Sequence, residues 1–240
     1  MNSPARAPTH APADAPGDAP GDAPGDAPGD APGDDCGGCP RLIELRHRLR
    51  GEHADWHNAP VSSFGPADAE LLIAGLAPGR NGANRTGRPF TGDYAGDLLY
   101  ATIDKFGFSE GCYAAAPGDG LRLLNCRITN AVRCLPPGNK PIGAEIKTCG
   151  AFLAGEIGAM PRLRIVLALG TVAHGAVLAA LGMRKSAHKF AHGAMHVLPA
   201  GPVLADSYHC SRYNTNTGRL TVDMFETVFG AIKTTLARPF

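Results

Sequence analysis

Short apolar runs alternate with stretches of helical spacing along most of this chain. The runs at 71–74, 121–134, 163–169, 195–198 and 203–206 read as strands, with Leu, Ile and Val prominent among them. Around them, 41–50, 96–106, 142–157, 172–181 and 217–236 carry apolar residues at helical intervals. The stretch from Ile165 to Met183 is apolar enough to be weighed as a membrane span. Gly170, Thr171 and His174 interrupt it, and strand–turn–helix describes it better. No membrane partner is expected. Strand and helix in alternation predict an α/β fold: a three-layer sandwich with a short, mainly parallel central sheet and helices on both faces.

Residues 1–35 stand outside this pattern. APGD occurs five times in succession from Ala15 to Asp34, and the segment holds almost no side chain able to build a core. Such a segment cannot bury enough surface to offset chain entropy, so it is expected to be a disordered, extended tail. It lacks the apolar region of a secretory signal. One folded domain is expected over 36–240.

Setting the tail aside changes the charge. The whole chain has 23 Lys and Arg against 22 Asp and Glu, a net of +1. The tail holds one Arg and seven Asp, which leaves 22 basic and 15 acidic groups in the body, a net of +7. A basic body meets polyanions, nucleic acid first. A solvated basic face explains the same excess.

The most informative stretch is 71–93, LLIAGLAPGRNGANRTGRPFTGD. A buried strand here feeds a long loop containing Gly79, Gly82, Gly87 and Gly92, three arginines, Phe90 and Asp93. Open α/β sheets hold ligands at such strand ends. The loop matches neither the phosphate-binding pattern of P-loop proteins nor that of dinucleotide folds. The loops after the other strands carry polar residues too. If they converge at one sheet edge, Phe90, Asp93, Asn130 and His209 become a site rather than four scattered residues. His209 precedes Ser211, Asn214 and Thr217, which are also suited to capping a helix. The other histidines show no partner pattern. Residues 51–68 read as an ordered loop held by Trp56, the single tryptophan.

The seven cysteines, at 36, 39, 112, 126, 134, 149 and 210, are odd in number and follow no export signal, which points to a reducing, cytoplasmic setting. Cys126 reads as a buried small hydrophobe. Cys36 and Cys39 form a Cys-x2-Cys pair, and Cys134 and Cys149 bracket a proline-rich loop. Four thiolates in this arrangement suit a four-cysteine zinc site or an iron–sulfur cluster.

Taken together, GLAPG, GANRTGRPFTGD, TNAVRCLPPGNKP and HCSRYNTNTGRLT resemble the uracil-DNA glycosylase superfamily, most closely its family 5, the iron–sulfur type b glycosylases. The resemblance spans nearly all of 36–240, with the motifs in family order. It implies a uracil-DNA glycosylase fold and a monofunctional enzyme that flips uracil from DNA and hydrolyses its N-glycosidic bond for base excision repair. It further implies a [4Fe–4S] cluster on Cys36, Cys39, Cys134 and Cys149, clamping the N-terminal helix to the sheet. By the same resemblance Asp93, His209 and Asn130 act in catalysis. Ala77, Pro78, Gly79, Phe90, Asn130 and Ser211 bind the base, and Arg80, Arg85, Arg88, Arg212 and Asn214 bind the DNA. The partner is DNA bearing uracil or another damaged base, and a monomer is expected. Ala77 stands where many superfamily members carry a carboxylate or Asn, which leaves Asp93 as the nearest carboxylate. Cys210 stands where Pro is frequent, and a looser His209 loop is expected. Two other readings fit the residues: a non-catalytic damage-binding module, and a nucleotide-binding protein with zinc on the four cysteines.

Overall fold

The computed structural model describes residues 32–238. Of the tail expected over 1–35, residues 1–31 lie outside the described residues. The last four residues of that segment belong with the folded body. Pro32 is buried, Asp35 pairs with Arg50 at 3.0 Å, and Arg50 also donates to the Asp34 carbonyl. The body thus begins before Cys36.

The central sheet has the order β4-β1-β5-β7-β6. Its strands are β1 (Leu71–Gly75), β4 (Cys126–Asn130), β5 (Ile165–Leu169), β6 (Met195–His196) and β7 (Val203–Ser207). All neighbours are parallel except the edge pair β6–β7, which is antiparallel. Each residue of β1, β4 and β5 is buried, as expected of parallel strands covered on both faces. Along β1, Leu71 and Ile73 pack against α3 (Tyr94–Lys105) and α7 (Val222–Leu236), while Leu72 and Ala74 pack against α4 (Gly143–Ala159) and α5 (Thr171–Ala180). This is the three-layer sandwich expected from the alternation. Among the described residues, no helix is long and apolar enough to cross a membrane.

Local chemistry moves several boundaries. The apolar run at 121–134 is not one strand, because Asn125 adopts φ 52° and breaks it. Its side chain accepts from Glu70 N at 2.8 Å. The part before it, β3 (Arg122–Leu123), pairs instead with β2 (Ser109–Glu110) in a separate small sheet. The final helix starts later than 217, where the Thr221 side chain accepts from Met224 N at 3.2 Å as its N-cap. Ahead of it, Arg212–Asn216 forms a short helix, α6, capped by Ser211.

Helix α1 (Pro40–Glu52) begins with proline in its first turn. Arg41 makes a bidentate pair, 2.8 Å on each arm, with Glu145 of α4. Glu145 also accepts from Ile142 N, so one carboxylate closes the start of α4 and ties α1 to it. The loop after α1 is held by Asn58 rather than by Trp56. Asn58 is fully buried, donates to the Leu49 and His53 carbonyls and accepts from Asn84 at 2.9 Å. Trp56 stacks on His53 at its edge.

Candidate active site

Three strand ends build one cleft. Gly75 of β1 lies in register with Asn130 of β4. A Cβ on Gly75 would stand 2.4 Å from Asn130 Oδ1 and 2.6 Å from the Phe90 ring. Glycine here lets both side chains approach the strand end. The Phe90 ring lies 5.8 Å from that of His209, which follows β7, with the planes inclined by 28°. Two loops and the last residue of β4, far apart in sequence, thus deliver Phe90, His209 and Asn130 to one space at the carboxyl edge of the sheet.

Phe90 gets there through strained backbone. Its φ of 53° lies where side-chain-bearing residues seldom go. Neighbours hold it there, as such outliers require. Tyr100 donates to the Pro89 carbonyl at 2.7 Å, and Tyr113 donates to the Phe90 carbonyl at 3.3 Å. Phe90 is only 6 % exposed and joins the main core. It closes the top of that core and forms the floor of the cleft at once.

Asp93 caps α3, its Oδ1 accepting from Gly96 N at 3.2 Å. The other oxygen sits over the turn that follows β1. A Cβ on Gly82 would stand 2.3 Å from Oδ2, and one on Gly79 2.9 Å. Glycine at 82 is what makes room for the carboxylate. Burial raises the Asp93 pKa above the ordinary aspartate value. The Gly96 and Ala95 amides oppose the rise, and nearby Asp97 adds to it. His209 is shifted the other way, down to about 4, by burial. Its Nδ1 is buried with no hydrogen-bond partner. At neutral pH the cleft therefore holds a neutral imidazole.

The other expected site residues divide. Arg80 and Arg212 are exposed, Arg80 beside Glu52 and Arg212 over the Tyr94 ring at 5.2 Å. Arg85 is exposed as well. Arg88 corrects the expectation of a DNA contact. It is 5 % exposed, locked to Asp119 by bonds of 2.8 and 2.7 Å and covered by the Phe64 and Tyr100 rings. A guanidinium so enclosed braces the loop and does not face a phosphate. The Ala77 side chain packs against the cluster of Leu42, Val132 and Cys149. Pro78 is buried. Ser211 and Asn214 serve the His209 loop itself. Ser211 caps α6, and Asn214 Nδ2 donates to the His209 carbonyl at 2.8 Å. Tyr208 N donates to His192 Nδ1 at 3.2 Å. These bonds hold the loop that Cys210 was expected to loosen, and Cys210 is itself fully buried. Tyr113 and His192 carry no signal in the sequence, since each acts through contacts with residues 15 or more positions away.

Cys36, Cys39, Cys134 and Cys149 line one cavity between α1, the segment after β4 and α4. Burial raises the thiol pKa of Cys39, Cys134 and Cys149, that of Cys134 to about 12. Arg133 N donates to Cys149 Sγ at 3.3 Å. Arg46 lines the same cavity, with its Nε buried and unpartnered. Among the described residues, no three of the four sulfurs lie mutually within 4.8 Å of one another.

Residues 62–233 match the family described as the Uracil DNA glycosylase superfamily, a span that includes the whole central sheet and Phe90, Asn130 and His209. The chain belongs to that superfamily. A Type-5 uracil-DNA glycosylase of Thermus thermophilus is 47 % identical over 195 residues, covering 79 % of this chain and 89 % of that protein. The Type-5 enzyme of Mycobacterium leprae is 42 % identical over 204 residues, 81 % and 88 % of the two chains. That of Pyrobaculum aerophilum is 40 % identical over 193 residues, 79 % and 84 %. These likenesses put the chain in the type-5 branch.

Proposed function

We propose that this chain excises uracil, and other deaminated or damaged bases, from DNA by hydrolysing the N-glycosidic bond, leaving an abasic site for base excision repair. The observation that carries this reading is the meeting of Phe90, Asn130 and His209 in one space. A base inside a duplex is out of reach, so the nucleotide is flipped into the cleft, at a cost of a few kcal/mol. Phe90 stacks on the extruded base, a contact worth about 1–3 kcal/mol. Asn130 offers donor and acceptor together and matches the N3–H and O4 edge of uracil. The C1′–N1 bond breaks with its electron pair leaving on the base. His209, neutral at working pH, donates a hydrogen bond to the base O2 as charge gathers there. Asp93, ionised above its raised pKa, faces the cationic sugar and orients a water. The water adds hydroxyl to C1′, and its proton balances the departing base anion. Arg80, Arg85 and Arg212 neutralise phosphates. The enzyme acts as a cytoplasmic monomer.

Cys36, Cys39, Cys134 and Cys149 are the residues to hold a [4Fe–4S] cluster. Their shared cavity and the unpartnered Arg46 Nε beside it support this reading. When bound, the group braces α1 and α4 against the sheet. The residues of the cleft carry out base release.

Incubation with uracil-containing oligonucleotides, single- and double-stranded, followed by alkali tests the reading. Strand breaks at uracil and none in a thymine control are expected. Uncleaved uracil strands from folded, iron-loaded protein would overturn it.

A further inference from the structure

Among the described residues four arginines are buried: Arg46, Arg88, Arg127 and Arg133. A guanidinium does not lose its charge in a protein, and a buried charge is costly unless it is paired. Three of the four are paired. Arg88 meets Asp119 at 2.7 Å, Arg127 meets Glu156 at 2.7 Å, and Arg133 meets the same Glu156 through Nη2. Arg46 is the exception. It is 6 % exposed, and among the described residues no carboxylate pairs with it. Asp35, close by in the chain, is exposed and taken by Arg50.

The position of Arg46 on α1 explains what it meets instead. Cys39 is the N-cap of that helix, and Leu42, Ile43 and Arg46 follow it along one face. This face lines the cavity that also holds Cys36, Cys134 and Cys149. Arg46 is the one charged side chain in the lining, among Leu42, Ile43, Val132 and Phe152. Its Nη2 donates to the Cys36 carbonyl at 3.0 Å, which anchors the guanidinium beside one of the four cysteines. Its Nε is buried with no acceptor. Arg133 Nε is unpartnered too, but there Glu156 meets the charge. The smaller cavity that Arg46 also borders is lined chiefly by Leu45, Leu49, Ala59 and Leu135 and offers no carboxylate.

We propose that Arg46 is a cofactor-binding residue: its Nε–H donates to a sulfur of the [4Fe–4S] cluster, and its charge offsets that of the cluster. The proposal rests on the cluster reading given above. Four thiolates outweigh the positive charge of an iron–sulfide core, so the assembled group is an anion, and the unpaired guanidinium is its counter-ion. A charge-assisted hydrogen bond to sulfur favours the electron-richer state and raises the reduction potential. Oxidative loss of iron becomes harder, so Arg46 protects the cluster in air as well as holding it.

The test uses full-length protein purified anaerobically with its iron, with nitrogen-15 in arginine only. Dithionite brings the cluster to a paramagnetic state, and hyperfine spectroscopy reads the labelled nitrogens in hydrogen-bond reach of it. Two couplings are expected, one from the Arg133 amide, which donates to Cys149 Sγ, and one from Arg46 Nε. Arg46→Lys should lose the second and keep the first. Arg46→Met, compared with wild type at equal iron content, should have a more negative midpoint potential and bleach several-fold faster in air. A wild-type spectrum with the Arg133 coupling alone would overturn the proposal, as would an unchanged potential in Arg46→Met. Arg46 would then be a brace for the Cys36 carbonyl, with the cluster reading intact. Wild-type protein that folds without iron and sulfide would sink the cluster reading, and this proposal with it. The labelled wild type gives its answer even if both variants fail to fold.

Discussion

The loops after β1 and β7 face each other across the cleft, and each delivers one titratable group by different means. The first is long and packed from within. Asp93 sits where glycines leave room for it, caps a helix, and stands beside a strained Phe90 that two tyrosines hold. The second is short and held from outside, by Asn214 on the His209 carbonyl and His192 on the Tyr208 amide. Burial pushes both groups towards neutrality, Asp93 upwards and His209 down to about 4. Helix-terminal amides offset part of the rise at Asp93, and nothing offsets the fall at His209. One dry environment thus yields a carboxylate for a developing cation and an uncharged donor for a developing anion.

Asp93→Asn should break the comparison most severely. Asparagine keeps the cap but carries no charge, so single-turnover cleavage should fall about 10²–10⁴-fold, with binding of uracil DNA little changed. A near wild-type rate would move water activation to Asn130 or to the turn after β1. His209→Ala should slow uracil release about 10²–10³-fold, the usual loss of one donor to a developing anion. The loss should shrink for 5-fluorouracil, a better leaving group, whereas Asp93→Asn should slow both bases alike. Equal sensitivity in the two variants would mean that they do not serve opposite charges.

Gly82→Ala sharpens the comparison by displacing the carboxylate without removing it. With a Cβ due 2.3 Å from Oδ2, a shift of about 1 Å should lower the rate by about 10²-fold, while the melting temperature moves little. Asn214→Ala tests the outside support of the second loop. Loss of one hydrogen bond worth about 0.5–1.5 kcal/mol should reduce turnover several-fold, and Asn214→Asp, which accepts but does not donate, should not restore it.

The smallest effect lies in acid. As pH falls from 6.5 towards 4, the unfolded chain protonates His209 while the native one does not, so stability is full above that window and falls within it. Asp93 works in the opposite direction. Its native pKa exceeds the unfolded value of 3.8, so the native state takes up this proton first and gains stability as pH falls through that interval. Denaturant melts across this range should show His209→Gln less acid-sensitive than wild type and Asp93→Asn more so.

Much of this architecture is legible in the order of residues alone. Parallel strands buried on both faces must be continuous apolar runs, and loops at their carboxyl ends must share an edge. Alternation along the chain therefore places Phe90, Asn130 and His209 on that edge, and the cysteine spacing joins four thiols into one group. Other features have no local signature. Arg88 looks like its exposed neighbours until Asp119 and two aromatic rings enclose it. Asn125 is one more polar residue in an apolar run until its positive φ breaks the strand. His174 and His196 show no spacing rule because only the packing of α5 and β6 against β7 brings them to Asp206. Periodicity and motif report what each residue needs from solvent or backbone within a few positions. Which buried charge meets which partner depends on contacts between distant segments, and those form only when the layers close.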